Sequence, residues 1–192
     1  MKVHDYGESL ERILRDTSLS PPQGTALHEV ARQAHEMADA YLVDGKAFLS
    51  SGDLMNALAA FTYASGWLDA SSTLGLFTER TTLGIPEFTG ESASLDGDRL
   101  REKRERYGKM LSGALEALEC SPDPGSPLFG PATLILERAG ELRKEGDLLA
   151  REGRAADALA RYSHGHGWLD AGVRAGLFRI LHSRELFTVG PL

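Results

Sequence analysis

Cysteine and long apolar runs are nearly missing from this sequence. Cys120 is the only cysteine in 192 residues, which excludes an intramolecular disulfide framework and favours a reducing compartment. No stretch approaches the roughly 20 apolar residues that a membrane-spanning helix needs. The opening MKVHDYGESLERIL has no apolar segment of the kind that secretory signals carry. These absences predict a cytoplasmic protein that makes no membrane contact.

An excess of positive charge is also missing. The formal net charge is −7, which argues against a general electrostatic grip on nucleic acid or anionic lipid. The segment DRLREKRERYGK (98–109) is locally basic, but its interspersed glutamates dilute the field. With 42% hydrophobic and 26% charged residues, the composition is that of a soluble globular protein. Nucleic acid is therefore not an expected partner.

The chemical motifs that identify many enzymes are absent too. The sequence contains no glycine-rich phosphate loop, no nucleophile elbow and no metal-ligand spacing. We therefore expect no cofactor and no metal site. The unusual feature lies elsewhere: both tryptophans, Trp67 and Trp168, stand in the same pentapeptide, GWLDA.

The two pentapeptides belong to an internal duplication. They are offset by 101 positions, and the same offset aligns the rest of both halves without a gap. About a third of the positions from 6 to 77 have an identical counterpart, including Tyr6-Gly7, Ser20-Pro21, Gly45, Ala57-Leu58-Ala59 and Gly75-Leu76-Phe77. Two copies of this length predict a tandem domain and not a solenoid array.

Helical periodicity divides each copy into three helices, and no useful alternating strand pattern is present. The turns fall at Ser-Pro…Gly segments and at Gly52 or Gly153, with Asp53 as a candidate helix cap. The predicted class is all-α, with two tandem three-helix units at 1–78 and 98–192 joined by a linker at 79–97. The predicted helices are 4–17, 25–50 and 53–77 in the first unit, with 98–119 and 154–181 among those of the second.

The third helix of each unit carries a seam of small residues at Gly66 and Gly167. A glycine inside a helix costs about 1 kcal/mol relative to alanine, so we expect a neighbouring backbone to approach closely there. Trp67 and Trp168 are expected to be buried, and each indole N–H then needs an acceptor.

Asp69 and Asp170 follow in the same motif and allow two interpretations. In the structural one, each carboxylate accepts hydrogen bonds from a helix N-terminus or a tyrosine hydroxyl and fixes the packing. In the functional one, each is a ligand-binding or catalytic group in a cleft.

The second unit alone carries histidines near its motif, in RYSHGHGWLD (161–170). His164 and His166 are two positions apart and point to different sides of a helix, so they cannot hold one metal ion together. His166 and Asp170 are four apart and can form a polar pair. Arg161 and His166 also resemble, in their spacing, the loose Arg-x4-His pattern of HEPN-class ribonucleases, which are helical proteins as well. Arg161, His166 and Asp170 are therefore the candidate catalytic residues of an alternative, hydrolytic function.

Residues 40–77, AYLVDGKAFLSSGDLMNALAAFTYASGWLDASSTLGLF, resemble the archaeal domain of unknown function 357 family. The matching residues are Tyr41, Asp44, Phe48, Leu49, Gly52, Asp53, Ala57, Tyr63, Ala64, Gly66, Trp67, Leu68 and Asp69. The second unit keeps GWLDA but has Leu142, Glu145, Arg154 and His164-Gly165 at other positions of the pattern. The resemblance implies a three-helix bundle in each unit and an archaeal source, and it implies no activity.

These observations favour a non-enzymatic interaction or scaffold module. An ungapped duplication predicts a pseudo-two-fold arrangement that mimics a homodimer of single units. A protein partner or self-association is the expected kind of interaction. The alternative is an RNA-directed or metal-assisted hydrolase with its site in the second unit.

Overall fold

The computed structural model describes residues 1–78, 82–88 and 97–188, and it confirms the all-α class with two three-helix units. Part of the predicted linker (79–81 and 89–96) and residues 189–192 lie outside the described residues. The helices are α1 Val3–Asp16, α2 Ala26–Ser50, α3 Leu54–Thr73, α4 Asp98–Glu116, α5 Phe129–Arg151 and α6 Ala155–Arg174. The strands are β1 Leu118–Cys120 and β2 Phe178–Ile180, and a 3₁₀ turn spans Arg184–Leu186.

The third helix of each unit is shorter than predicted. The predicted 53–77 and 154–181 end at Thr73 and Arg174, because Gly75 and Gly176 adopt left-handed φ angles of 73° and 75° that close the helices. The chain then continues extended and pairs with the segment that follows the first helix of the same unit.

These pairings are short antiparallel contacts that the sequence did not predict. Leu19 pairs with Phe77 in the first unit, and β1 pairs with β2 in the second, with Cys120 opposite Phe178. The predicted helix 98–119 therefore ends at Glu116, and its last residues belong to β1. Three-residue strands are too short to produce a recognisable alternation.

The core lies where the two third helices, α3 and α6, pack against each other. From Ala57 to Ser72 every residue of α3 is buried, and α6 is buried almost as completely. A Cβ atom built on Gly66 would lie 2.3 Å from the carbonyl oxygen of His164, and one on Gly167 would lie 2.4 Å from that of Tyr63. The predicted close backbone approach at both glycines is confirmed, and each central helix is the other's neighbour.

The outer helices pack around these two centres in matching ways. The Phe61 ring of α3 fills the space that a Cβ would need at Gly7 and Gly45. In the second unit Tyr162 has the same position and meets Gly108 and Gly146. In both units a large ring on the central helix packs against the backbones of the first and second helices, which explains why these glycines recur at the 101-residue offset.

The cap and the segment after α3 complete the first unit. Asp53 caps α3 by accepting from the backbone N–H of Asn56, as predicted, whereas Arg154 makes no side-chain cap on α6. Residues 82–88 return to the bundle, where Phe88 is buried against Tyr6 with ring centroids 5.4 Å apart. Within the described ranges, no helix combines the length and the apolar character that crossing a bilayer requires.

A candidate ligand cleft between the two units

The GWLDA tryptophans are buried at the end of the crossing between α3 and α6. Trp67 is fully buried and Trp168 is 7% exposed. The Trp168 indole donates to His164 Nε2 at 3.1 Å. Among the described residues no acceptor lies within reach of Trp67 Nε1. Both rings contribute to the core packing, but only Trp168 has the acceptor for its indole N–H that we expected.

The aspartate of the second motif, Asp170, connects the two units. Its carboxylate accepts from the Tyr63 hydroxyl of α3 and, at 3.0 Å, from the backbone N–H of Thr188. The Thr188 hydroxyl donates to it as well, at 2.8 Å. These donors are all neutral, although Asp170 is only 3% exposed. The carboxylate therefore ties the C-terminal segment of the second unit to the central helix of the first.

The aspartate of the first motif, Asp69, has the reciprocal position. Its carboxylate accepts from the backbone N–H groups of Leu83, at 2.9 Å, and Gly84, at 3.2 Å. His164 Nε2 of α6 lies 3.4 Å away. Since His164 is the counterpart of Tyr63 under the 101-residue offset, each aspartate meets the same position of the opposite unit.

Burial sets the protonation of this second pair. Desolvation raises the pKa of Asp69 to about 6, although the two backbone donors oppose the shift. Desolvation, aided by the positive charge of Arg138, lowers the pKa of His164 to about 3. Nε2 accepts from Trp168, so Nδ1 carries the proton and faces the carbonyl of Thr62 at 3.2 Å. His164 is a neutral, fully buried packing residue and not an exposed acid or base.

Beside Asp170 lies an open cavity of about 400 Å³, here named the Asp170 cleft. Both units line it, with aromatic, hydroxyl and acidic side chains. The lining residues are Tyr41, Asp44, Phe48, Asn56, Ala59, Ala60, Tyr63, Tyr107, Met110, Ser163, His166, Asp170, Glu185, Leu186, Phe187 and Thr188.

The tyrosines of the cleft are held in their neutral form. Desolvation raises the pKa of Tyr63 well above its usual value, and the charge of Asp170 adds to the shift. The same two causes raise the pKa of Tyr41, whose ring centroid lies 4.3 Å from that of Tyr63. The Tyr63 hydroxyl is engaged by Asp170 and Thr188, so the two rings bring aromatic surface to the cleft and carry no negative charge of their own.

His166 lines the same cleft and is 7% exposed. Its Nε2 lies 2.6 Å from the carbonyl oxygen of Leu186 and 3.8 Å from Asp170 Oδ2. A carbonyl only accepts, so Nε2 carries a hydrogen. Nδ1 is buried and has no hydrogen-bond partner among the described residues. The contact of Nε2 fixes the ring against the carbonyl of Leu186 at one wall of the cavity.

The matching region of the other side, here named the Asp69 site, is closed by the protein's own groups. Arg161, the counterpart of Ala60, donates to Glu145 at 3.2 Å and to the carbonyl of Pro86 at 3.4 Å. Tyr6, the counterpart of Tyr107, is fully buried, with its hydroxyl 2.8 Å from the carbonyl oxygen of Gly84. Residues 185–188, the counterparts of 84–87, also line the Asp170 cleft, so the paired arginine and the fully buried tyrosine are what distinguish the Asp69 site.

The structure brings some predicted site residues together and separates others. Tyr41, Tyr63, His166 and Asp170 share one cleft. Arg161, the third candidate catalytic residue, is paired with Glu145 and is not among the cleft residues. The sequence prediction did not include the residues that differ between the Asp170 cleft and the Asp69 site. A position-by-position comparison of the two copies identifies them, for example Ala60 at the position that corresponds to Arg161.

A second and larger groove, of about 770 Å³, runs between the start of α3 and the start of α4. Its lining reaches Gly97, the first described residue after the gap that begins at 89. None of its lining residues belongs to a GWLDA motif, and we assign no site there. The Asp170 cleft is smaller, and its lining ends at Thr188, the last described residue before 189–192.

Fold and cleft together define an all-α protein of two fused, homologous three-helix units with an open cavity beside Asp170 that both units line. The chain belongs to the family described as protein of unknown function (DUF357), whose model matches it twice, over residues 5–77 and 106–178. The two matches confirm the family and the tandem copies that the sequence predicted. Comparisons with curated proteins and with solved structures find no match.

Proposed function

We propose that the chain is a non-enzymatic interaction module whose two units together hold a small molecule in the Asp170 cleft. One observation carries the proposal: of two matching junctions between the units, one is closed by the chain itself and the other is open. A cavity of about 400 Å³ whose walls combine aromatic and aliphatic side chains with hydroxyl and acidic groups is of the size of ligand sites.

The arrangement that duplication predicts supports this proposal. In a pseudo-two-fold module each central helix presents the same surface to the other. The reciprocal contacts of Gly66 with His164 and of Gly167 with Tyr63 have that form. Both units contribute to the cleft, so a single unit would lack half of its walls.

The hydrolytic alternative has less support. His166 and Asp170 do lie in the cavity, 3.8 Å apart. Arg161, which that function would use at a phosphodiester, is bonded to Glu145 and Pro86 instead. Incubation of the purified chain with mixed RNA remains the direct test of this alternative, and intact RNA would count against it.

The binding proposal is tested by nuclear magnetic resonance of the full chain with a mixed library of cationic, neutral and anionic small molecules. At least one class should shift the amide signals of cleft residues such as Tyr41 and Thr188. The variant Ala60→Leu should abolish these shifts by filling the cavity from α3. The matched variant Ala57→Gly, also in α3 but away from the cleft lining, should leave them intact. A library that produces no shift at the cleft would refute the proposed function.

A further inference from the structure

The Asp170 cleft is acidic, and its carboxylates have no basic partner within the described part of the chain. Asp44, Asp170 and Glu185 all line it. The ion pairs of the described residues include no lysine or arginine paired with any of the three. Among the described residues, the basic group that comes within 4 Å of one of these carboxylates is His166, which lies 3.8 Å from Asp170. Other cations contact the lining but not the carboxylates: Arg174 donates to the carbonyl of Thr188, and Lys103 and Arg106 lie over the ring of Tyr107. Asp44 and Glu185 are exposed and Asp170 is buried, and unpaired negative charge along a cavity favours a cationic occupant.

The Asp69 site shows how the same chain balances the matching carboxylate. Glu145 is the counterpart of Asp44, and it receives two guanidinium groups: Arg161 at 3.2 Å and Arg138 at 3.3 Å. In the first unit the corresponding positions hold Ala60 and Met37. The cations of the closed side are therefore replaced, on the open side, by small or apolar residues.

The two differences coincide in space. Ala60 stands where the closed side has Arg161. The missing arginine side chain leaves the Asp44 carboxylate without an ion-pair partner and leaves space in the cleft that both residues line. A cation that entered this space would stand where the Arg161 guanidinium stands on the other side. The walls suit such a group, because tyrosine rings attract cations, and Tyr41 and Tyr63 line the cavity. Tyr107 lines it as well, and its ring already has Lys103 and Arg106 within 6 Å.

We propose that the Asp170 cleft binds a small organic cation, an alkylammonium or alkylguanidinium compound, whose charged group pairs with Asp44 against the tyrosine wall. This inference rests on the proposed binding function and adds the chemistry of the ligand. The apolar side chains of Met110 and Phe187 would contact its alkyl part.

Matched probes test this chemistry on the full chain. Titration calorimetry and amide chemical shifts are measured with n-butylguanidine and 1,4-diaminobutane as cations, 1,4-butanediol as the neutral control and butyrate as the anion. We expect both cations, and neither control, to bind at the cleft. A capped Gly-Arg-Gly peptide separates two sources of the same group: binding would point to an exposed arginine of a partner, and its exclusion to a free amine or guanidine.

Variants at two positions connect binding to the proposed pairing. Asp44→Asn should weaken the affinity for the cations about fivefold, the size of a partly exposed ion pair. Ala60→Arg should abolish cation binding, because it supplies the guanidinium that Arg161 supplies at the Asp69 site. Glu145→Gln is the matched control: it removes the equivalent carboxylate on the closed side and should leave cation affinity unchanged.

The outcomes separate the ligand chemistry from the proposed function. If butanediol or butyrate binds at the cleft and the cations do not, the proposed cation is wrong and the binding function stands. If the cations bind with equal affinity to wild type, Asp44→Asn and Ala60→Arg, the pairing with Asp44 is wrong. If no probe of any charge shifts the cleft signals, the cation proposal fails, and the wider library decides on the binding function.

Discussion

Replacing Gly66 with alanine is the most direct test of the contact between the central helices. The added Cβ would lie 2.3 Å from the carbonyl oxygen of His164 and 3.1 Å from the Cα of Gly167, whereas ordinary contacts begin near 3.4 Å. The obstructing atoms are backbone, which cannot rotate away as a side chain does. The two helices must therefore separate by about 1 Å, and the packing on both sides of the crossing loosens.

The expected cost follows from two opposing contributions. Overfilling a packed core costs about 1–3 kcal/mol, and a clash between backbones belongs at the upper end. Alanine in place of a mid-helix glycine recovers about 1 kcal/mol of helix propensity. The net loss in the free energy of unfolding is then about 2 kcal/mol, which lowers the melting temperature of a chain of this size by about 4–8 °C.

Urea unfolding followed by circular dichroism measures this change, and the transition midpoint should fall while the slope stays constant. Gly140→Ala is the matched control, because Gly140 lies within α5 and its Cβ would meet nothing within 4 Å. That variant should be as stable as wild type or up to about 1 kcal/mol more stable. Gly167→Ala should resemble Gly66→Ala, and the double variant should cost less than the sum because the helices have already parted.

A Gly66→Ala variant as stable as Gly140→Ala would refute the reasoning. It would mean that the backbones of α3 and α6 do not touch at this position, and that the seam of small residues has another cause. The position of the Asp170 cleft would then be in doubt as well, since the same crossing places Tyr63 beside Asp170.

Two further predictions concern the buried pairs. Between pH 4 and 6 the folded chain holds a proton on Asp69 that the unfolded chain releases, so Asp69 makes the free energy of unfolding fall as pH rises. His164 is protonated only in the unfolded chain over this range, so it makes the free energy of unfolding rise with pH. Asp69→Asn removes the first contribution and keeps the second, so this variant should lose stability more steeply than wild type on acidification from pH 6 to 4, as measured by urea titrations. Parallel curves for the two proteins would contradict the raised pKa of Asp69. Tyr63→Phe should cost about 1.5–3 kcal/mol, because Asp170 loses a buried donor to a charged group. Tyr162→Phe, whose hydroxyl contacts the more exposed Asp147, should cost less than about 1 kcal/mol, and equal melting temperatures for the two variants would count against the Asp170 bond.

Much of the fold could be predicted because the duplication shows each important residue twice, at matching positions of the two units. A glycine inside one apolar helix has several explanations, but Gly66 and Gly167 at matching places indicate a contact that both units make. The lengths of α3 and α6 were overestimated because GLF at 75–77 and 176–178 continues the apolar pattern after the glycine has closed the helix. Hydrophobic periodicity does not register a change from helical to extended backbone over three residues.

The cleft could be predicted only in part. Its aspartate was a candidate because it stands in a repeated motif, and His166 because it lies four residues before Asp170. That Tyr63 would meet Asp170 depends on how the two units cross, which the sequence alone does not specify. The contacts of Arg161 could not be predicted for the same reason: its spacing to His166 is local, whereas its partners Glu145 and Pro86 come from another helix and from residues 82–88.

Fusion of the two units bears on how many ligands one chain can hold. A homodimer of identical units would have two identical junctions, each with a residue of the Tyr63 type facing an aspartate of the partner. In a single chain the two junctions can differ, and here one carries His164 and Arg161 while the other carries Tyr63 and Ala60. The substitutions on the closed side supply its own cation and hydrogen-bond partners, so a ligand would have nothing left to neutralise there. The cation proposal therefore gives a stoichiometry of one organic cation per chain, and the double variant Arg138→Met with Arg161→Ala, which gives Glu145 the neighbours that Asp44 has, is the change that would raise it towards two.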